Sequence, residues 1–148
     1  MSSFEGYHPL LTPNFRFDWL TQFRLKQVSQ LTHQDLAETA EWVNATMRHT
    51  MARTALTWGI ERRATHKLVG WGGFERLNLQ QKTGRTYLTG PKLPANEQQE
   101  IVNRLVHFAQ EELGLDDLEL EASANLDTAV LTAAGLLQRG DVWHWQRR

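Results

Sequence analysis

The chain has no cysteine. Disulfides, thiolate nucleophiles and cysteine-bound metals are thereby excluded, and redox chemistry gives no clue to compartment. An excess of one charge is missing too. Sixteen basic residues face seventeen acidic ones, for a net charge of -1, with no long run of either sign. That balance argues against nucleic acid as a partner, because duplex binding draws on bulk positive charge. No apolar run reaches the roughly 20 residues of a membrane span. Residues 1–13 lack the basic start and apolar stretch of a secretory signal. A cytoplasmic protein with no membrane partner is the expectation. The six histidines, His8, His33, His49, His66, His107 and His144, form no His-x-x-x-His spacing, and no Gly-x-Ser-x-Gly elbow occurs. Neither a metal site nor serine hydrolysis is supported.

What is present fits one globular domain over residues 1–148, with 41% apolar and 22% charged residues. Six tryptophans are many for this length. Most belong in a core, and some should line a pocket. No internal repeat or low-complexity segment interrupts the chain.

Residues 1–21 are mixed and proline-punctuated, and read as an arm or sheet edge. A short strand is predicted over residues 22–28, from Phe23, Leu25 and Gln27–Val28. In "LTHQDLAETAEWVNATM", Thr32 offers a helix cap with Asp35 three residues on, and Leu36, Ala40, Val43 and Met47 follow at helical spacing. Leu56, Trp58 and Ile60 alternate with Thr57, Gly59 and Glu61, the period of a strand. "ERRATHK" is a hairpin connection and "LVGWGGF" the returning strand, whose Gly70, Gly72 and Gly73 suggest a bulge or a close backbone. After the turn "NLQQKTG", "RTYLTG" is a third strand of the meander. Ile101, Leu105 and Phe108, flanked by Val102, Val106, Ala109 and Leu113, make a wide apolar helical stripe that Gly114 ends. "DLELEAS" alternates like a strand with one wet face. A short helix with Leu126, Val130, Leu131 and Ala134 closes at Gly135, and "DVWHW" is a last strand. This order predicts an α/β class with a mixed, mostly antiparallel sheet flanked by helices, and parallel strands joined by a right-handed crossover.

One stretch sits where phosphate is often bound. "YLTGPKLPANEQQEIVNRL" runs from a strand into a helix N-terminus, whose free N–H groups and dipole favour anions. Its glycine content is low, however: Gly90 is followed by Pro91, Lys92, Leu93, Pro94, Ala95 and Asn96. Pro94 lacks an N–H, and Glu97 puts negative charge in the first turn. Asn96 and Gln99 have the spacing of a cap and its reciprocal partner, so self-capping without a ligand competes with phosphate binding.

The order of elements and four stretches resemble the GNAT superfamily of N-acetyltransferases, in its ribosomal-protein N-terminal acetyltransferase branch. "FRLKQVSQLTHQDL" looks like the opening strand and first helix of that branch. "WGIERRATHKLVGWGGFERL" looks like its second and third strands. "EIVNRLVHFAQEELGLDDLELEAS" looks like its central helix and following strand, and "NLDTAVLTAAGL" like its Asn-x-x-Ser helix. The resemblance covers residues 22–140. It implies the acyl-CoA N-acyltransferase (GNAT) fold, in which acetyl-CoA lies between two parting parallel strands. It also implies direct acetyl transfer to an amine acceptor, a small molecule or a peptide or protein N-terminus. Homodimers through a sheet edge are common in such folds.

Carried over by position, the resemblance places acetyl-CoA against Tyr87, Leu88, Thr89, Lys92, Ala95, Asn96, Glu97, Asn125 and Thr128. The family's Gly-x-Gly falls on Pro94, Ala95 and Asn96. Its leaving-group tyrosine has no counterpart among Ala129, Val130, Leu131 and Thr132. Glu75, after Gly73 and Phe74, is the candidate general base, with a surface charge as the plain alternative. His66 and His107 are expected to be exposed. His144 alternates with Trp143 and Trp145, and the tryptophans are expected to line the acceptor side. Two functions follow: an acetyl-CoA-dependent N-acetyltransferase, or a non-catalytic module of the same fold that has lost acetyl-CoA binding.

Overall fold

The strand pattern at Leu56, Trp58 and Ile60 puts those side chains on one face, where all three are buried. They belong to the third strand of an eight-stranded sheet. In the computed structural model, residues 8–121 and 123–147 are described. Strands β1 (Leu10–Leu11) and β2 (Phe15–Trp19) precede helices α1 (Leu25–Thr32) and α2 (Leu36–Met51). The meander β3 (Leu56–Arg62), β4 (Lys67–Asn78) and β5 (Thr83–Thr89) follows. Helix α3 (Ala95–His107), β6 (Asp117–Glu121), α4 (Thr128–Ala133), β7 (Leu137–Arg139) and β8 (Val142–Gln146) complete the order. The sheet runs β1-β2-β3-β4-β5-β6-β8-β7, and only the β5–β6 pair is parallel.

Helices α3 and α4 cover one face. Ile101, Val102, Leu105 and Val106 of α3 pack there with Trp58, Phe74, Leu118 and Leu120 in the main core. Trp58 is its centre, stacked on Trp19 at 5.6 Å and meeting Phe108 edge-on at 5.0 Å. Helices α1 and α2 close a smaller cluster on the other face, built on Leu20, Val28 and Val43. Among the described residues no helix is long and apolar enough to cross a membrane.

Several expectations are corrected. Residues 22–28 are not a strand: Arg24 caps α1, and Val28 is buried against Val43. The sheet position beside β3 is taken instead by β2, whose Phe15, Phe17 and Trp19 alternate with Arg16 and Asp18. Part of the expected arm is therefore an interior strand, while residues 1–7 lie outside those described. Thr32 ends α1 and does not cap α2. That cap is Asp35, which accepts from the Glu38 N–H at 2.8 Å. β7 was not anticipated, since three exposed residues leave no periodicity to read. Trp143 and Trp145 face the α3 side with the core, so His144 points to the opposite face beside Glu119.

Candidate functional site

Four residues of β5, Thr83 to Thr86, pair with β6, and the ladder stops at Thr86 opposite Leu120. β5 runs on through Tyr87, Leu88 and Thr89, which have no strand partner on the β6 side among the described residues. Alternation divides these residues between the two faces. Leu88 is buried on the α3 side, whereas Tyr87 faces the other way and bonds Thr57 Oγ1 at 2.9 Å. The glycines of β4 allow this close packing. A Cβ on Gly70 would lie 2.7 Å from the Thr89 carbonyl oxygen, and one on Gly72 2.6 Å from that of Tyr87. Gly73, at φ 154°, has no room for a Cβ against the Leu56 carbonyl.

The gap between the strands is bridged by side chains. Asn125 Nδ2 donates to the Leu88 carbonyl at 3.1 Å and to that of Gly90 at 3.4 Å. Gln98, wholly buried in α3, donates to the Leu93 carbonyl at 2.7 Å and accepts from the Asp127 N–H at 2.8 Å. Lys92 Nζ lies 2.8 Å from Asp127 Oδ1. The loop before α3 and the loop before α4 are thus tied together three times. Beneath them Val69, Leu88, Pro91, Leu93 and Asn125 line a crevice with no room for a water molecule. An elongated ligand enters only if these two banks separate.

The start of α3 differs from the capping pattern in the sequence. Pro94 is the N-cap, with its carbonyl accepting from Glu97 and Gln98. Asn96 lies inside the first turn and caps nothing, and Gln99 is spent on Asn103 and the Val130 carbonyl. Proline wins because its fixed φ suits the position and it has no N–H to satisfy. The N–H groups of Ala95 and Asn96 find no acceptor among the described residues. Glu97 is held by Arg62 of β3 in a two-point pair, Nη2 to Oε1 at 3.1 Å and Nη1 to Oε2. Its charge is neutralised and does not project freely from the helix end. One turn further, the Glu100 carboxylate accepts from Thr12 and from the backbone and side chain of Asn14.

On the opposite face, Glu75 of β4 lies across from Arg85 and close enough to Tyr87 to act on its hydroxyl. Arg85 is paired with Glu119 at 3.2 Å and Glu121 at 3.4 Å. Burial drives the Tyr87 hydroxyl up to about 12; the Thr57 bond opposes this and the Glu75 charge adds to it. Trp71, on the Tyr87 face of β4, meets Trp42 of α2 edge-on at 5.5 Å.

The residues proposed from sequence therefore separate. Leu88, Thr89 and Asn125 line the crevice, Thr89 at its exposed end, while Lys92, Ala95 and Asn96 are exposed and outside the lining. Thr128 opens α4 exposed and away from the crevice lining, and Tyr87 sits on the far face with Glu75. His107 is exposed, as expected, and His66 is too. Sequence reading missed Gln98, Asp127 and Arg62. Only Gln98 left a signal: a polar residue at helical spacing from Ile101, Val102 and Leu105, on the buried stripe itself.

No protein-family profile and no curated protein matches the chain. Solved structures do. A candidate ribosomal-protein-serine acetyltransferase of Vibrio cholerae superposes with a TM-score of 0.77 at 16% identity, covering 95% of this chain and 98% of that one. A ribosomal-protein-S5-alanine acetyltransferase of Vibrio fischeri gives 0.75 at 9% identity, over 95% and 97% of the two chains. A Vibrio cholerae spermidine N-acetyltransferase, solved with CoA and spermine, gives 0.71 at 13% identity over 90% and 94%. The chain has the GNAT acyltransferase fold.

Proposed function

We propose that this protein transfers the acetyl group of acetyl-CoA to a primary amine of a small molecule, a peptide or a protein N-terminus. The observation that carries this is the end of the β5–β6 pairing at Thr86 among the described residues, which leaves Leu88 and Thr89 open beside the start of α3. A neighbour of the same fold, the spermidine acetyltransferase, was solved with CoA. The free edge at Leu88 offers backbone groups to the amides of a pantetheine arm, once Asn125 turns from the strand to the ligand. Acetyl-CoA supplies an activated thioester.

The chain's own residues then manage the amine. As the amine nitrogen forms the new C–N bond and the C–S bond breaks, one amine proton must leave. Glu75, on the Tyr87 face of the sheet and opposite to Leu88, is the proton acceptor in this reading. Tyr87 stays protonated until about pH 12 and serves only to orient by hydrogen bonding. Glu75→Gln is expected to lower turnover about 10²–10⁴-fold while acetyl-CoA binding is kept.

A second reading is favoured by one observation, the bridged crevice with no room for water. In it the chain keeps the fold as a binding module and takes no acetyl-CoA. Calorimetry separates the two. Saturable heat at micromolar acetyl-CoA is the expected result. No heat and no thermal shift at millimolar ligand would eliminate acetyl transfer and leave the binding module.

A further inference from the structure

The loop before α3 and its neighbours bring together two cations and two carboxylates. Arg62 is taken by Glu97 and Lys92 by Asp127, so the formal charge of the four is zero. The first pair is firmly held. Its contact is two-point, the Glu97 side chain is only 13% exposed, and Arg62 also lies over the Phe15 ring at 5.7 Å. Drawing Arg62 away to a phosphate would strand a nearly buried carboxylate, which is costly. The second pair is more exposed and is worth less. Pro94 contributes no N–H, and Leu93 offers its carbonyl to Gln98. The electrostatic field at this loop is therefore near neutral, unlike that of a seat for a multiply charged anion.

We infer that the acyl donor is recognised through its pantetheine arm and thioester and not through its diphosphate, with Glu97 setting that preference by keeping Arg62 engaged. The inference rests on the acetyl-transfer reading above and deepens it. Pantetheine amides are met by the Leu88 edge and Asn125, both neutral, so removing the nucleotide should cost little. Charge selection is then absent at the donor site, and donor affinity should depend weakly on salt.

The test compares acetyl-CoA with S-acetyl-pantetheine, which has the same arm and thioester but no phosphate. Calorimetry is run at low and high sodium chloride. In the wild-type protein the two dissociation constants should agree within about threefold, and salt should move neither by more than that. Glu97→Gln removes the carboxylate charge without changing shape, freeing Arg62. It should tighten acetyl-CoA about tenfold and leave S-acetyl-pantetheine unchanged. Arg62→Gln should leave both affinities within about twofold. Acetyl-CoA binding more than about a hundredfold tighter than S-acetyl-pantetheine would overturn the inference alone. So would a tenfold loss of acetyl-CoA affinity in a folded Arg62→Gln protein, or no tightening in Glu97→Gln. If Arg62→Gln fails to fold, the wild-type comparison decides by itself. Failure of the wild type to bind either thioester at millimolar concentration would remove the acetyl-transfer reading itself.

Discussion

Gln98 is the residue whose replacement tests the architecture of the cleft most sharply. Its amide joins the two banks, donating to Leu93 on one and accepting from Asp127 on the other, and none of the residue is exposed. Gln98→Leu keeps the volume and the packing against Ile101, so no cavity term enters. What is lost is satisfaction of one carbonyl and one N–H. Each costs about 1–3 kcal/mol when left buried and unpaired. Both backbone groups are on half-buried residues, so the sum is about 2–4 kcal/mol. For a chain of 148 residues, 1 kcal/mol moves Tm by roughly 4 °C, so a fall of about 8–15 °C is expected. Urea unfolding at constant m checks that this is stability and not a change of unfolded state. Hydrogen exchange should speed up at residues 90–97 and 123–127 and stay slow in β3 and β4. Gln98→Glu sharpens the test. Its carboxylate would face the Leu93 carbonyl and the Asp127 carboxylate, raising its pKa above the unfolded value. Stability is then highest when that group is protonated and is lost as pH rises through the folded pKa. The variant should be weaker than Gln98→Leu at pH 7 and recover at pH 5. A Tm within 2 °C of wild type for Gln98→Leu would refute the idea that this amide holds the banks together.

Three further outcomes follow from individual contacts. Gly73→Ala sets a Cβ against the Leu56 carbonyl at a φ of 154°, so a loss of about 3 kcal/mol or more is expected, visible as aggregation or a collapsed Tm. One of the two tyrosines should ionise only near pH 12 by absorbance, and Tyr87→Phe should abolish that late step. Because the folded pKa is raised from 10, the stabilisation is complete below pH 10. It falls by about 2–3 kcal/mol as pH climbs to 12, and the phenylalanine variant should lack this slope. Burial works against ionisation of Glu100, but the hydrogen bonds from Thr12 and Asn14 outweigh it and lower its pKa. Its stabilisation is present above the ordinary value of 4.5 and is lost as pH falls through the lower folded value. Glu100→Gln should flatten that acid limb in chemical denaturation.

Elements with strong periodicity are legible in the sequence. The apolar stripe from Ile101 to Ala109 and the alternation of β3 and β6 became core as their spacing implied. Where two patterns competed, tertiary context decided. Phe23 and Leu25 alternate, yet the chain turns into α1 there because β2 already fills the place beside β3. At α3, the Asn96–Gln99 pair matched a capping pattern, and Pro94 took the cap two residues earlier. Nothing along the chain connects Arg62 with Glu97 or Lys92 with Asp127, thirty-five residues apart in each case.

By itself the sequence determined the class, the order of elements from β3 to β6 and the place of the loop before α3. These depend on local period, on turn residues and on composition, which act over a few neighbours. Only the tertiary structure decided how that loop is used. Its charges are cancelled by residues from β3 and from the turn before α4, and its carbonyl at Leu93 is claimed by a buried glutamine. Electrostatic field and hydrogen-bond satisfaction are sums over what lies nearby in space, and proximity of that kind arises only when the sheet sets β3, β4, β5 and β6 side by side.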